Sequence, residues 1–152
     1  KHVLPRLQAA IDELEAQGCR LILFFCTGDF PATFHANVPL IFPNQILQGL
    51  VPLLTATGRI AVVTPSPLQL GQSKNKWEKY VPQATPVAAS PYEGLEGIRQ
   101  AAQQVAGLDC DLVVLDCIGY TLEMKQIFAQ ATGKNIVLSR TLLARVVSEL
   151  ID

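Results

Sequence analysis

Hydrophobic and polar positions follow two rhythms along this chain. From Leu4 to Gln17 the apolar residues Leu4, Leu7, Ala10, Ile11 and Leu14 recur every three or four positions, with Asp12, Glu13 and Glu15 between them. That period lays an apolar stripe along a helix, and Gly18 is a natural stop for it. Leu21 to Phe25 is an unbroken apolar run, the pattern of a strand buried on both faces of a parallel sheet. Cys26 to Pro43, rich in Gly, Pro and Asn, reads as a loop. Asn44 is placed to cap a helix reaching about Thr55, whose end Pro52 bends or shortens.

The alternation then repeats. Strands are expected at Arg59 to Val63, Thr85 to Ala89, Leu112 to Asp116 and Ile136 to Leu138. Helices are expected at Leu68 to Tyr80, Tyr92 to Ala106, Leu122 to Thr132 and from Ser139 to the C-terminus. Strands alternating with helices predict an α/β fold, a parallel sheet with helices on both faces and right-handed crossovers. Ligands of such sheets sit at the carboxyl ends of the strands.

Composition narrows the function classes. Of 152 residues, 49% are hydrophobic and 16% charged, enough apolar material for a packed core and unlike a disordered chain. The net charge of −1 and the scattered Lys74, Lys76 and Lys79 leave no basic footprint, so no nucleic-acid partner is expected. The longest apolar run, Leu21 to Cys26, is far shorter than the ~20 residues that span a bilayer, so no membrane association is expected. No secretory signal pattern opens the chain. Its four cysteines lie in strand-like contexts of a chain large and apolar enough to need no disulfides, so a reducing cytoplasm is expected. Neither a Gly-x-Gly-x-x-Gly fingerprint nor a Walker-type lysine loop occurs. The chain starts at Lys1 directly in a helical pattern and reads as part of a longer protein.

One segment occurs twice. Gly18-Cys-Arg-Leu-Ile-Leu-Phe-Phe-Cys-Thr-Gly28 and Asp109-Cys-Asp-Leu-Val-Val-Leu-Asp-Cys-Ile-Gly119 both carry Cys at positions two and nine, Leu at four and Gly at eleven. Each follows a helix with an Ala-Ala pair, Ala9-Ala10 and Ala101-Ala102. This is the signature of a duplicated βα unit. Within each copy the cysteines stand seven residues apart, roughly 23 Å along a strand, too far for a disulfide or a shared metal. Cys19 and Cys110 enter their strands and read as small core residues. Cys26 and Cys117 leave theirs, where chemistry is placed.

Two thiols on opposite faces of a carbon acid suit racemisation without a cofactor. One, as thiolate, removes the α-proton and the other delivers a proton from the far side; an ordinary thiol pKa near 8.5 lets the group serve either role. The following turns, Thr27-Gly28 and Ile118-Gly119, are candidates to hold a carboxylate on free backbone N–H groups. Thr64 and Ser66 could grip a carboxylate too, or simply cap a helix. Ser90, Ser139 and Thr141 read as caps, Arg140 as a surface or anion-binding residue, His35 as surface and Asp29 as a turn residue. Asp116, an acid ending a buried strand, needs partners: it either bonds loop amides or orients the site. No metal site and no cofactor are expected.

Val114-Leu-Asp-Cys-Ile-Gly-Tyr120 and Asn135-Ile-Val-Leu-Ser-Arg-Thr-Leu-Leu-Ala-Arg-Val-Val-Ser-Glu-Leu150 resemble the C-terminal part of AroM-family proteins. The resemblance runs back through Trp77 and Phe42-Pro-Asn-Gln-Ile-Leu47 to the opening helix. AroM proteins are similar to the aspartate/glutamate/hydantoin racemase superfamily, whose two pseudo-symmetric α/β halves each supply a catalytic cysteine and need no cofactor. The resemblance implies that Cys26 and Cys117 occupy those positions, although Thr27-Gly28 stands where the racemases carry Asn-Thr. It implies that residues 1–57 are the remainder of a first half lacking its N-terminal strands, that 58–138 form the second half, and that the helix from 139 to 152 packs back on the first. The expected activity is a racemase, epimerase or related isomerase acting on a small carboxylic acid. The alternatives are a one-thiol decarboxylase or cis–trans isomerase, and a non-catalytic small-ligand-binding protein tied to aromatic amino-acid metabolism. A homo-oligomer is compatible with each.

Overall fold

A computed structural model describes residues 3–31 and 33–151. The chain forms two compact units, one ending at Asn44 and one starting at Gln45.

In the first unit, helix α1 (Leu4–Ala16) ends where Gly18 takes a φ of +83°, a left-handed turn that only glycine enters without cost. Strand β1 (Ile22–Leu23) pairs in parallel with β2 (Leu40–Ile41). β2 lies inside the stretch expected to be loop. Its apolar residues are flanked by Pro39 and Pro43, and only pairing with β1 makes them a strand. β1 also differs from expectation: Ile22 and Phe24 are buried, but Phe25 is 64% exposed. Within this unit a single layer covers it. That layer is Leu7, Ile11 and Leu14 of α1 with a ring cluster in which Phe24 stacks on Phe42 at 4.6 Å and touches Phe30 and Phe34. The cluster pins the long connection between β1 and β2 to the core.

Helix α2 (Pro43–Leu54) carries the chain into the second unit and retains Pro52 within its last turn. There β3 (Arg59–Thr64), β4 (Gln83–Ala88), β5 (Leu112–Leu115) and β6 (Asn135–Leu138) form a parallel sheet of order β4-β3-β5-β6. Every residue of β5 is buried, as its unbroken apolar run requires. Alternate side chains feed two layers. Ala61, Val63, Val87, Val113, Leu115 and Leu138 face α4 (Glu96–Ala106) and α5 (Leu122–Thr132). Ile60, Val62, Ala84, Leu112, Val114 and Val137 face Leu47 and Val51 of α2, Trp77 of α3 (Leu70–Trp77) and Leu142 of α6 (Ser139–Ile151). Each fully buried Val or Leu contributes roughly 1.5–3 kcal/mol.

Two helices are shorter than their patterns suggested. Before α3 the chain makes a tighter 3-10 turn, Pro67–Gln69, which leaves Leu68 95% exposed. Tyr92 stays outside α4 because Gly94 adopts a φ of +84° and interrupts the helix. The opposite end of the sheet is closed by Asp111. Its carboxylate accepts hydrogen bonds from the Thr55 and Thr57 hydroxyls at 2.6 and 2.9 Å and from the amides of Ala56 and Thr57. No helix among the described residues is long and apolar enough to cross a membrane.

Candidate active site

The repeat-equivalent thiols end up in matching local geometry. After β1 the Gly28 amide donates to Cys26 Sγ at 3.4 Å; after β5 the Gly119 amide donates to Cys117 Sγ, also at 3.4 Å. In each copy a Cys-x-Gly turn folds back just enough for the second amide to meet the sulfur and fix its direction. These two amides, expected to stand free for a carboxylate, are therefore used inside their own turns. Cys26 is exposed and Cys117 half-buried. Cys26 lies at the rim of an apolar cleft of about 320 Å³ that also involves Leu7, Ile11, Phe24, Phe25 and Phe30.

The other two cysteines behave as core residues. Cys110 is buried among α4, α5 and the sheet, and burial pushes its thiol above the usual value. Cys19 packs at the edge of the first unit's core.

Around Cys117 the exit of β5 is tightly braced. Asp116 is buried, and its Oδ2 accepts from Lys76 Nζ at 2.9 Å and from Trp77 Nε1 at 2.8 Å. Both donors come from α3, so the partners include side chains distant in sequence, which strand patterning could not supply. Ser139, expected as a cap, is buried and donates to Leu115 O at 2.6 Å, tying α6 to β5. The Arg140 side chain is not idle at the surface. Its Nε donates to Ile118 O at 2.9 Å, which places a guanidinium on the loop that carries Cys117. Tyr120 is fully buried and donates to Ala89 O at 2.7 Å; burial raises its phenol and keeps it a donor. Gly119 touches Tyr92 and Pro91 so closely that a Cβ there would lie 2.5 Å from the Tyr92 hydroxyl.

The remaining candidates divide. Thr64 is buried at the exit of β3, the strand next to β5, and its hydroxyl donates to Gln69 Oε1 at 3.2 Å. Ser66 caps the 3-10 turn by accepting from the Leu68 amide, the simpler of its two readings. Thr27 is buried beside Cys26, and Ile118 beside Cys117. Thr141 bonds Leu138 O, and His35 is exposed. A second cleft of about 290 Å³ lies beyond the end of β4, between Pro65, Ser90, Glu93 and Gln100; Cys117 is not among its lining residues. Sequence reasoning missed Lys76, Trp77 and Tyr120 as supports of this site. The one available signal was that Trp77 is the single tryptophan of the chain.

A glutamate racemase from Bacillus anthracis superimposes with a TM-score of 0.65 at 14% identity, covering 97% of this chain. The protein is thus an α/β protein with the racemase type of fold. The family model described as AroM protein matches residues 1–151, and the chain belongs to the AroM family. It spans 66% of the racemase's length. No curated protein matches it.

Proposed function

We propose that this AroM protein is a cofactor-independent racemase, epimerase or related isomerase of a small carboxylic acid, with Cys26 and Cys117 as its acid–base pair. The observation that carries the reading is the Cys-x-Gly turn found twice, each at the exit of a parallel strand and each with a glycine amide 3.4 Å from sulfur. In the reaction one thiolate takes the α-proton, leaving an enolate-like carbanion. The other thiol returns a proton from the opposite face and becomes the thiolate, so the substrate is inverted and no electrons leave the pair. Arg140, anchored on the Cys117 loop, is the cation suited to the substrate carboxylate.

The test is deuterium exchange at the α-carbon of amino and hydroxy acids by the full-length protein, alongside Cys26→Ala and Cys117→Ala. Exchange abolished by either substitution is expected. Exchange with no acid, or exchange indifferent to both substitutions, overturns the reading. The unequal exposure of the two sulfurs favours a one-thiol decarboxylase or cis–trans isomerase as second reading; there only one substitution abolishes turnover.

A further inference from the structure

The first unit keeps an apolar cleft open beside Cys26. Its volume is about 320 Å³, and it is lined by Leu7, Ala10 and Leu14 of α1 and by Leu23, Phe25 and Phe30. Apart from Cys26 at the rim, every side chain lining it is apolar. Ala10 and Phe25 are exposed, so the cleft opens to solvent over an aromatic ring. A single apolar side chain in water is ordinary. A continuous apolar cleft is not, and it marks a place that a ligand covers.

Size and lining together say what fits. A dry apolar cavity of ~150 Å³ already holds a benzene ring, so this cleft has room for an aromatic or branched aliphatic side chain. A carboxylate placed there would shed its water and meet neither a cation nor a strong donor among the lining side chains, which is costly. An apolar group instead removes its own surface and that of Phe25 from water, which is favourable. The second unit points the same way by itself. Tyr92 is 77% exposed and lies against Gly119, whose amide holds Cys117 Sγ. Each thiol thus has an exposed aromatic ring beside its own turn.

We propose that this cleft takes the side chain of the acid whose α-carbon meets Cys26. The substrate is then a monocarboxylic acid with an aromatic or large branched aliphatic side chain, and not a dicarboxylic acid. The substrate class rests on the reading of Cys26 as an acid–base thiol; the cleft's preference for apolar groups does not.

Binding and exchange are measured separately on the full-length protein. Calorimetric titration compares acids that differ only in the side chain: phenylalanine and leucine against aspartate and glutamate, and phenyllactate against malate, in both configurations. The apolar members are expected to bind about tenfold or more tightly than the dicarboxylic ones. Ala10→Trp fills the cleft from an exposed helix position and is expected to erase that preference. Phe25→Ala, also at an exposed position, is expected to weaken it about threefold or more, and it carries the test alone should Ala10→Trp not fold. Equal binding of the two series, tighter binding of the dicarboxylic acids, binding of neither, or a preference unchanged in the variants overturns the assignment of the cleft. An apolar preference without α-exchange by any acid supports the cleft and overturns the isomerase reading. Exchange confined to dicarboxylic acids does the reverse.

Discussion

Lys76 Nζ lies 2.9 Å from Asp116 Oδ2, and both side chains are almost wholly buried. The pair joins α3 to the residue immediately before Cys117. Trp77 from the same helix donates to the same oxygen. Taking one partner away strands a charge in a poor solvent for it, which is the costly way to break such a pair. Lys76→Met is expected to lower unfolding free energy by about 3 kcal/mol in urea titrations. The double variant Lys76→Met, Asp116→Asn should recover part of that loss. An unchanged midpoint in the single variant would show that the pair is solvated.

Gly119 has no space for a side chain. A Cβ would stand 2.5 and 2.8 Å from Oη and Cζ of Tyr92 and 2.9 Å from Cγ of Pro91. Tyr92 is exposed and can swing away, but Pro91 is buried and its ring is rigid. Gly119→Ala is therefore expected to destabilise by about 1–3 kcal/mol, as overpacking does. Adding Tyr92→Ala should restore less than half of it. Full restoration by Tyr92→Ala would place the strain on the tyrosine alone.

Asp111 gives the fold an acid-sensitive clamp. Burial acts to raise its carboxyl, but the hydrogen bonds from Thr55, Ala56 and Thr57 outweigh that and hold it at about 2. An unfolded aspartate titrates near 3.9, so the folded value is depressed. The clamp's contribution is then fully present above about pH 4 and lost as pH falls toward 2. For a carboxylate only partly shielded from water, it amounts to about 1 kcal/mol after solvent screening. Stability of wild type and Asp111→Asn should differ at pH 7, with the gap narrowing as pH falls below about 4 and closing only below about pH 2. A gap that persists in acid would contradict the clamp.

Arg140 bears on the proposed reaction. Its Nε is committed to Ile118 O, so the guanidinium is held on the Cys117 loop by a bond lysine cannot make in the same way. Arg140→Lys and Arg140→Met are both expected to raise KM for the carboxylate substrate about tenfold or more, with a smaller change in kcat. A fall in kcat at constant KM would instead assign Arg140 to loop geometry alone.

Much of this was readable in the residue pattern. α5 spans Leu122–Thr132 as expected, because Thr121 accepts from the Met124 amide at its start and Gly133 turns left-handed at its end, both local signals. Of the four strands of the second unit, β3, β5 and β6 carry continuous apolar runs that need no partner to be recognised, whereas β4 mixes Gln83, Thr85 and Pro86 with its apolar residues. β2 was not readable, since three apolar residues between prolines carry no periodicity, and Leu40 and Ile41 become a strand through Ile22 and Leu23 opposite them. The exposure of Phe25 was hidden for a related reason: an apolar run announces hydrophobicity, not how many layers cover it.

The same division runs through the site. By itself the sequence determined the α/β class, the duplicated segment and the sorting of four cysteines into two strand-entry and two strand-exit residues, because these depend on spacing along one chain. Tertiary structure alone decided that Lys76 and Trp77 answer the Asp116 carboxylate, that Arg140 holds the Cys117 loop, and that Asn44 keeps a buried oxygen beside Asp29. Polar groups find partners through space. Periodicity reports which face of an element is buried, and it carries no record of which distant donor will meet an acceptor once the strands are side by side.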